Sequence, residues 1–393
     1  MTYKKLKDKY AIAGIGYTPQ GKIPNRSAIS FYVEAGVNAI KDSGLSKNDI
    51  DALICYRQFS PLMNEPTVTP YLVAQHLGIK PTVLSQESFC QRNQFVQAVS
   101  LLEAGFCKNV LIIYADNAAT GRRMFIDEAT HGESFNENAV YGEFGFVGDY
   151  AMAAMRGMHD FNTGASTWGE IAVNQRRWAN LNPDATLYSE PLTFEEYINA
   201  PVIAEPFRKH DAALISDGGR ACIVTSVEQA RDLKQPVVSI MGIGEANPSV
   251  DAHQADFFSG NTGVVKAGEM AFNMAGIHIE DIDACEIYDC FTYTVELTMQ
   301  DYGFFNPGEG HDFFKDNRTG PCGELPVNTS GGLLSEAYFM GLTPITEGVM
   351  QLMGRCGERQ LGVLENTKAP EIILCCDNGG VLQSHCTLIL RKF

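Results

Sequence analysis

The sequence predicts an α/β protein built from two similar halves, and three observations support this fold class. Segments with helical spacing of apolar residues alternate with short β-rich runs, as in proteins whose helices cross over parallel sheets. Residues 43–56 and 275–288 share six identical residues at a constant offset of 232. Asp116–Asn117 recurs as Asp377–Asn378 at an offset of 261. Two matches in the same order favour a duplicated fold with loop insertions over chance identity.

The apolar pattern also locates individual elements of the two halves. We predict helices at residues 29–41, 95–104, 168–179 and 345–352, where apolar residues recur every three or four positions. We predict strands at residues 110–114, 221–225, 237–243, 372–376 and 387–390. Because helices alternate with these strands, the sheets are expected to be mainly parallel.

The repeat divides the chain into three parts. Residues 1–117 and 211–235 form the N-terminal half, and residues 236–393 form the C-terminal half. Residues 118–210 are rich in Met, Phe, Tyr and charged residues, so we expect a helical insertion that covers a site.

Composition excludes several classes of protein. The 393 residues include 47 acidic and 30 basic side chains, a net charge of −17 that repels nucleic acid. The apolar runs, such as residues 109–115, are much shorter than the roughly 20 residues that span a membrane. The apolar stretch near the N-terminus is short and broken by glycine, which argues against a secretion signal. The 11 cysteines include no C-x-x-C pair, so we expect reduced thiols in the cytoplasm and no metal site.

Cys90 is the first candidate for chemistry. It follows a β-like run and begins an amphipathic helix within residues 82–105. A thiol at a helix N-terminus meets the positive end of the helix dipole and unpaired backbone amides, which favour the thiolate. This is the setting of a nucleophile. The alternative is a buried cysteine that packs as a small apolar residue.

Three further segments carry candidate site residues. Residues 376–380 follow an apolar strand and enter a turn whose glycines leave backbone amides free for an oxyanion. In residues 328–339, Gly331 and Gly332 indicate a tight loop next to a site or a helix start. Residues 288–292 follow a predicted strand, where a tyrosine or an aspartate usually has a packing or capping role. Each segment alone is also consistent with a purely structural loop.

Taken together, these segments resemble the thiolase superfamily over essentially the whole chain, and most closely its sterol-carrier or lipid-transfer branch. That branch has an HDCFS-like segment where residues 288–292 read YDCFT. It has an N-x-S-G-G-L segment followed by Gly-His-Pro where residues 328–339 stand, and a C-x-G-G-G loop at residues 376–380. The resemblance implies the duplicated thiolase fold, with two βαβαβαββ halves in five layers, αβαβα, and a loop domain inserted in the N-terminal half. It also implies a homodimer formed through the central sheets.

The resemblance assigns roles to particular residues. Cys90 accepts an acyl group and releases it to coenzyme A, which is a co-substrate, and no cofactor is bound permanently. Cys376 moves the proton at the α-carbon, and the backbone N–H groups of Cys90 and Asn378 form the oxyanion hole. Asn378 stands where the family has glycine, but asparagine tolerates a positive φ better than most residues, so we expect the turn to survive. The other positions implied in substrate binding are Gly379, Asn328 and Gly331.

Two tyrosines depart from the family pattern. Tyr338 replaces the histidine of Gly-His-Pro, which takes the proton from the nucleophilic cysteine, and a tyrosine with a pKa near 10 is a poor base. Tyr288 replaces the branch's other histidine. The pair can donate hydrogen bonds to a carbonyl, or one tyrosine can act as a base if its pKa is lowered. This pair resembles thiolase-like retro-aldolases, and it also resembles two-subunit thiolases of the benzoylsuccinyl-CoA type. Both have a small zinc-ribbon/oligonucleotide-fold partner as a separate chain.

Three functions follow, in order of preference. The first is thiolysis of a bulky, apolar or aromatic β-ketoacyl-CoA through an acyl-Cys90 intermediate, because both Cys90 and Cys376 are present. The second is retro-aldol cleavage of a β-hydroxyacyl-CoA, in which Tyr288 or Tyr338 removes the β-hydroxyl proton. The third is a non-catalytic lipid-binding or scaffold subunit.

Overall fold

The computed structural model describes residues 3–58, 67–87, 94–121, 145–161, 163–248, 256 and 258–393. The N-terminal half begins with β1 (Tyr10–Tyr17), α1 (Ala28–Ser43), β2 (Ala52–Tyr56), α2 (Pro70–Leu77), β3 (Val83–Glu87), α3 (Gln94–Glu103) and β4 (Val110–Asn117). Next come α4 (Phe146–Phe161), α5 (Ala165–Ala179), α6 (Phe194–Ile198), β5 (Val202–Ala204) and β6 (Phe207–Arg208). The half closes with β7 (Asp217–Ser226), which completes the predicted βαβαβαββ order.

A short helix, α7 (Val227–Ala230), leads to the C-terminal half. The elements of that half are β8 (Val238–Ala246), α8 (Gly263–Ala275), β9 (Ala284–Glu286), α9 (Thr292–Tyr302), α10 (Gly310–Phe314), α11 (Gly332–Ser335), α12 (Leu342–Met353), β10 (Ile372–Gly379) and β11 (Ser384–Lys392). Every helix and strand predicted from the apolar pattern overlaps an observed element of the same type, so these predictions are confirmed. Among the described residues, no helix combines the length and the apolar character needed to cross a membrane.

The described strands of both halves form one mixed sheet in the order β3-β2-β4-β7-β1-β8-β11-β10-β9. The halves meet at β1 and β8, which share only two residue pairs, Ala11–Ser239 and Ile12–Val238. The prediction of mainly parallel pairing is wrong, because five of the eight neighbouring pairs are antiparallel. The reason is that each half ends with two neighbouring strands that run antiparallel, β4 with β7 and β10 with β11. The last strand of each half also pairs antiparallel with the first strand of that half.

The helices and the sheet form the predicted layers. Phe95 of α3 and Ile345 of α12 share one core with strand residues of both halves, so these two helices form the central layer. Helices α1 and α2 pack on the outer face of the N-terminal half. Helices α8 and α9 pack on the outer face of the C-terminal half. The strands of each half thus form one β layer, and α3 and α12 lie between these two layers. The resulting order αβαβα confirms the fold class.

The repeat seen in the sequence is visible in equivalent contacts. The carboxylate of Asp51 accepts the backbone N–H groups of residues 108 and 109, just before β4. Asp283 lies 232 residues further on, and its carboxylate accepts the N–H groups of residues 371 and 372 at the start of β10. Asp51, just before β2, therefore fixes the start of the neighbouring strand β4. Asp283, just before β9, fixes the start of the neighbouring strand β10 in the same way.

The second half differs from the first at one edge. Where the first half has β3, the second has Val327, which forms only an isolated parallel bridge with Cys285 of β9. Pro326 before it has no N–H to donate, and Asn328 after it has a φ of 54°, outside the extended region. The strand therefore ends after one bridge, and the chain turns into the loop that leads to Tyr338.

Candidate active site

A cavity of about 370 Å³ opens where the ends of β4 and β10 meet α4 and the loop after β9. Most of its lining is apolar, and the exceptions include two tyrosine hydroxyls, a serine and an asparagine amide. The lining residues are Tyr114, Ala118, Phe146, Val147, Tyr150, Ile203, Ala212, Ala213, Leu214, Ile215, Ser216, Tyr288, Cys290, Phe291, Tyr338, Met340, Asn378, Gly379 and Gly380.

Two tyrosine hydroxyls meet in this cavity. The hydroxyl oxygens of Tyr288 and Tyr338 are 2.8 Å apart, so one phenol donates a hydrogen bond to the other. Their rings are nearly perpendicular, at 70°, with centroids 6.4 Å apart. The hydroxyl of Tyr338 also lies 3.3 Å from the sulfur of Met340. The structure thus brings together the two residues that replace the family's histidines.

Backbone contacts hold each tyrosine in place. The N–H of Tyr288 donates to Sγ of Cys376 at 3.3 Å, and the preceding Ile287 donates its N–H to Oδ1 of Asn328 at 2.6 Å. The N–H of Tyr338 donates to Oγ of Ser216 at 3.0 Å. The phenols are therefore positioned through their own main chain.

Both phenols are neutral at physiological pH. Burial raises the pKa of Tyr288 well above its ordinary value, and the nearby Tyr338 raises it further. Burial also raises the pKa of Tyr338, although the hydrogen bond with Tyr288 opposes this effect. The lowered pKa that an ionised tyrosine base would require is therefore absent from this pair. A neutral phenol can instead donate one proton while it accepts another.

Of the two thiols predicted to take part in catalysis, the structure describes Cys376 but not Cys90. Cys376 is fully buried and is not among the residues that line the cavity. Burial raises the pKa of its thiol, which therefore stays protonated. Its sulfur accepts the backbone N–H of Tyr288 and so helps to position that residue. Cys90 lies outside the described residues, so its predicted role as nucleophile stays a prediction.

The four loop positions predicted for substrate binding divide into two groups. Asn378 and Gly379 line the cavity, although the oxyanion role of the Asn378 backbone stays a prediction. Asn328 is buried behind the loop of Tyr288, where its side chain accepts the N–H of Ile287. Gly331 has a φ of 101°, and a Cβ there would lie 2.6 Å from the Cβ of Ala179, so this position requires glycine for packing.

Comparison with known proteins agrees with this geometry. Residues 244–392 match a family model described as thiolase C-terminal domain-like. A steroid side-chain-cleaving aldolase of Thermomonospora curvata is 32% identical, over 88% of this chain and 90% of the relative. The chain belongs to the thiolase superfamily. A 17-hydroxy-3-oxo-4-pregnene-20-carboxyl-CoA lyase of Mycobacterium tuberculosis is 31% identical, over 89% of this chain and 92% of that protein.

Other thiolase-superfamily proteins extend the comparison. The solved structure of an Ltp2-ChsH2(DUF35) aldolase matches with a TM-score of 0.87 and 29% identity, and the match covers 98% of each chain. A benzoylsuccinyl-CoA thiolase subunit, BbsB, of Thauera aromatica is 26% identical, over 90% of this chain and 91% of the relative. The predicted sterol-carrier branch and its likeness to retro-aldolases are confirmed. These relatives support an enzyme that cleaves a C–C bond in a coenzyme A thioester.

The structure adds residues that the sequence-based site lacked. Tyr150, from the segment between β4 and β7, lines the cavity and donates its hydroxyl to the carbonyl of Gly380 at 2.7 Å. Cys290 also lines the cavity, and burial raises the pKa of its thiol to about 12. Cys290 belongs to the YDCFT segment, so its place in that motif was an available signal. For Tyr150 the available signals were an insertion rich in aromatic residues and the likeness of residues 150–184 to the sterol-carrier branch.

Asp289 joins the loops that carry the two tyrosines. Its carboxylate accepts the N–H groups of Leu333 and Leu334, at 2.9 and 3.1 Å, at the start of α11. Burial raises the pKa of Asp289 to about 7, although these two hydrogen bonds lower it. The aspartate next to Tyr288 therefore fixes the segment that continues to Tyr338. Among the described residues, no group of three or more His, Cys, Asp or Glu side chains is arranged to hold a metal ion.

Proposed function

We propose that this enzyme cleaves a β-hydroxyacyl-CoA by a retro-aldol reaction, with Tyr288 and Tyr338 as its catalytic residues. The observation that carries the proposal is the 2.8 Å contact between their hydroxyls inside an apolar cavity. Two neutral phenols in contact can pass a proton along without either one being ionised first. The names of two relatives, an aldolase and a coenzyme A lyase, support the same reaction class.

The proposed reaction moves one proton from oxygen to carbon. The β-hydroxyl of the substrate gives its proton to one phenol oxygen, that phenol passes its own proton to the other, and the second phenol delivers a proton to the α-carbon. The electrons of the O–H bond form the new carbonyl. The electrons of the Cα–Cβ bond form a thioester enolate, which the delivered proton converts to the product thioester. The products are an aldehyde or ketone and a shortened acyl-CoA, and no oxidant or free coenzyme A is consumed.

The substrate is expected to carry a large apolar group. A cavity of about 370 Å³ is of the size that binds small organic ligands, and apolar residues such as Phe146, Ile203 and Leu214 line it. A bulky, apolar or aromatic acyl group was also the expectation from the sequence. Two relatives have names that refer to steroid compounds, which supports a rigid apolar substrate.

The assembly is proposed by analogy with the relatives. We infer a homodimer that binds a second, smaller subunit with a zinc-ribbon/oligonucleotide fold, in the cytoplasm. The similar Ltp2-ChsH2(DUF35) aldolase supports a second subunit of the DUF35 type. Coenzyme A is expected to enter as part of the substrate, and no permanently bound cofactor is required by the proposed steps.

Thiolysis is the second candidate. It is supported by the match to a benzoylsuccinyl-CoA thiolase subunit and by the presence of Cys90 and Cys376. Against it, Cys376 is buried outside the cavity lining and its thiol has a raised pKa, so it is poorly placed to exchange a proton with substrate.

A pair of aromatic substrates distinguishes the two reactions. We expect 3-hydroxy-3-phenylpropanoyl-CoA to give benzaldehyde and acetyl-CoA without added coenzyme A. Tyr288→Phe and Tyr338→Phe should each lower kcat by about 100-fold or more, the usual contribution of a positioned proton-transfer group. Tyr32→Phe is the matched control, because that buried phenol donates to the carbonyl of Tyr56 and is not part of the cavity lining.

The opposite pattern would establish thiolysis. In that case, 3-oxo-3-phenylpropanoyl-CoA would be cleaved only when free coenzyme A is present. The activity would disappear in Cys90→Ser and survive in both tyrosine variants.

A further inference from the structure

The side chain of Asn378 is an unpaired polar group in the cavity wall. Asn378 is only 7% exposed and lines the cavity next to Gly379. Its Oδ1 is enclosed and has no hydrogen-bond partner among the described residues. An amide buried without partners costs about 1–3 kcal/mol, so native proteins rarely keep one that has no role. Because Oδ1 is enclosed, Nδ2 is the amide atom that can face a ligand, and it is a donor.

The backbone gives no reason for asparagine at this position. Asn378 lies inside β10, opposite His385 of β11, and strands are depleted in asparagine. The turn that follows takes its left-handed conformations at Gly380 and Leu382, with φ of 60° and 58°. The expected need for a positive φ at residue 378 is therefore not what keeps an asparagine there.

The backbone N–H of Asn378 is directed at a group of the protein itself. It faces the carboxylate of Asp377 and lowers the pKa of that group, as does the N–H of Gly341. The side-chain amide is therefore the donor that residue 378 has left to offer a ligand. Cys376 lies on the same face of β10, about 7 Å along the strand, and its sulfur contacts the backbone of Tyr288. Asn378 and the tyrosine pair line the same cavity, so one ligand bound there can contact all three residues.

We propose that the side-chain amide of Asn378 donates a hydrogen bond to the thioester carbonyl oxygen of a β-hydroxyacyl-CoA and stabilises the enolate formed on cleavage. The proposal rests on the retro-aldol function proposed above. One phenol binds the β-oxygen and the other faces the α-carbon, and the amide binds the oxygen of the thioester carbonyl. When the Cα–Cβ electron pair moves onto the thioester, negative charge grows on this second oxygen. A fixed N–H donor in a largely apolar cavity stabilises that charge more than it stabilises the ground state.

Replacing the amide tests the role of this donor. With 3-hydroxy-3-phenylpropanoyl-CoA as the probe, Asn378→Ala should lower kcat about 100-fold, as loss of one oxyanion donor does, with KM changed less than about threefold. Asn378→Asp keeps the size of the side chain but places a carboxylate against the developing charge, so its kcat should be lower still. A purely structural role predicts the reverse order, because Ala leaves a cavity and Asp does not.

Asn117 provides the matched control. It is the repeat equivalent of Asn378 at an offset of 261, it ends β4, and it is fully buried outside the cavity lining. Its Oδ1 is also unpaired among the described residues. Asn117→Ala should leave kcat within about twofold of the wild type, while both variants are checked for folding by circular dichroism.

The outcomes separate this inference from the proposed function. If wild-type enzyme does not cleave the β-hydroxyacyl probe, the retro-aldol function fails. If the wild type cleaves it and Asn378→Ala keeps kcat within threefold, or loses no more than Asn117→Ala, the retro-aldol function stands and the role of Asn378 is overturned.

Discussion

A single partly buried carboxylate holds the strand end that carries Asn378. Asp377 accepts the hydroxyl of Tyr56 at 3.0 Å, and the backbone N–H groups of Asn378 and Gly341 face its carboxylate. Burial raises the pKa of Asp377 to about 6, although these hydrogen bonds lower it. The carboxylate is therefore ionised at neutral pH and becomes protonated within the range in which the enzyme can be assayed.

Activity should fall when Asp377 takes up its proton. As pH drops through about 6, the neutral acid accepts hydrogen bonds more weakly and loosens the end of β10, so kcat/KM should decrease. Tyr56→Phe removes a donor that favours the carboxylate, so this limb should move to higher pH by about one unit, the equivalent of one hydrogen bond. Asp377→Asn should have no such limb. Profiles of kcat/KM from pH 5 to 9 measure this, and a limb that stays in place in Tyr56→Phe contradicts it.

At this scale the sequence predicted residues within motifs but not their distant partners. The motifs contain Tyr288, Tyr338 and Asn378. Their motif positions were therefore enough to predict that these residues belong to one site. The contacts that hold the site together join residues far apart in the chain, such as Ser216 to Tyr338 and Tyr150 to Gly380, whose residue numbers differ by 122 and 230. Spacing in one sequence carries no information on such pairs, because they depend on how the loops meet after the sheet has formed.

Helices α5 and α9 pack around another buried acid. Glu296 of α9 accepts the indole N–H of Trp168 from α5 at 2.8 Å, and it also accepts the hydroxyl of Thr163. Only 4% of Glu296 is exposed, and burial raises its pKa to about 7 despite these hydrogen bonds. The packing of these helices therefore depends on pH.

Replacing Glu296 with glutamine should stabilise the fold at higher pH. The folded pKa, about 7, lies above the ordinary value of 4.5, so the folded state holds the proton more tightly. Stability linked to this group is complete below pH 4.5 and is lost as pH rises to about 7. Glu296→Gln removes that loss, so its advantage in free energy of unfolding should grow between pH 4.5 and 7 to about 3 kcal/mol at most. Urea unfolding at pH 5 and pH 8 measures it, with the exposed Glu365→Gln as control. An equal difference at both pH values would contradict the assignment.

The sequence identified elements more reliably than their pairing. Periodicity depends on which face of a segment is buried, and it located helices and strands in both halves correctly. Strand direction depends instead on connections, and here the prediction of mainly parallel pairing failed. The short bridge at Val327 was missed because its end is set by the neighbouring Pro326 and by the positive φ of Asn328, which the apolar pattern does not report.

Over the whole molecule, few direct contacts within the sheet join the two halves. Strands β1 and β8 share only two residue pairs. A buried ion pair adds a further connection, because Arg220 of β7 in the N-terminal half binds Glu336, two residues before Tyr338 in the C-terminal half. The guanidinium lies 3.6 Å from the ring centroid of Tyr17 and 5.4 Å from that of Phe339. This pair therefore couples the sheet of one half to the tyrosine segment of the other.

Breaking this pair from one side should cost more than removing it completely. Arg220→Met leaves the carboxylate of Glu336 buried without its cation, and Glu336→Gln leaves the guanidinium without its anion, so each should lower the free energy of unfolding by about 3–5 kcal/mol. The double variant Arg220→Met/Glu336→Gln leaves no unpaired charge. Its loss in free energy of unfolding should therefore be smaller than the sum of the two single losses, by about 2 kcal/mol or more. This difference is on the order of the coupling energy found for residues in direct contact. Urea unfolding of all four proteins at one pH gives this coupling energy. Additive losses would mean that the two charges are stabilised independently, and the ion pair would then not be what joins the halves beneath Tyr338.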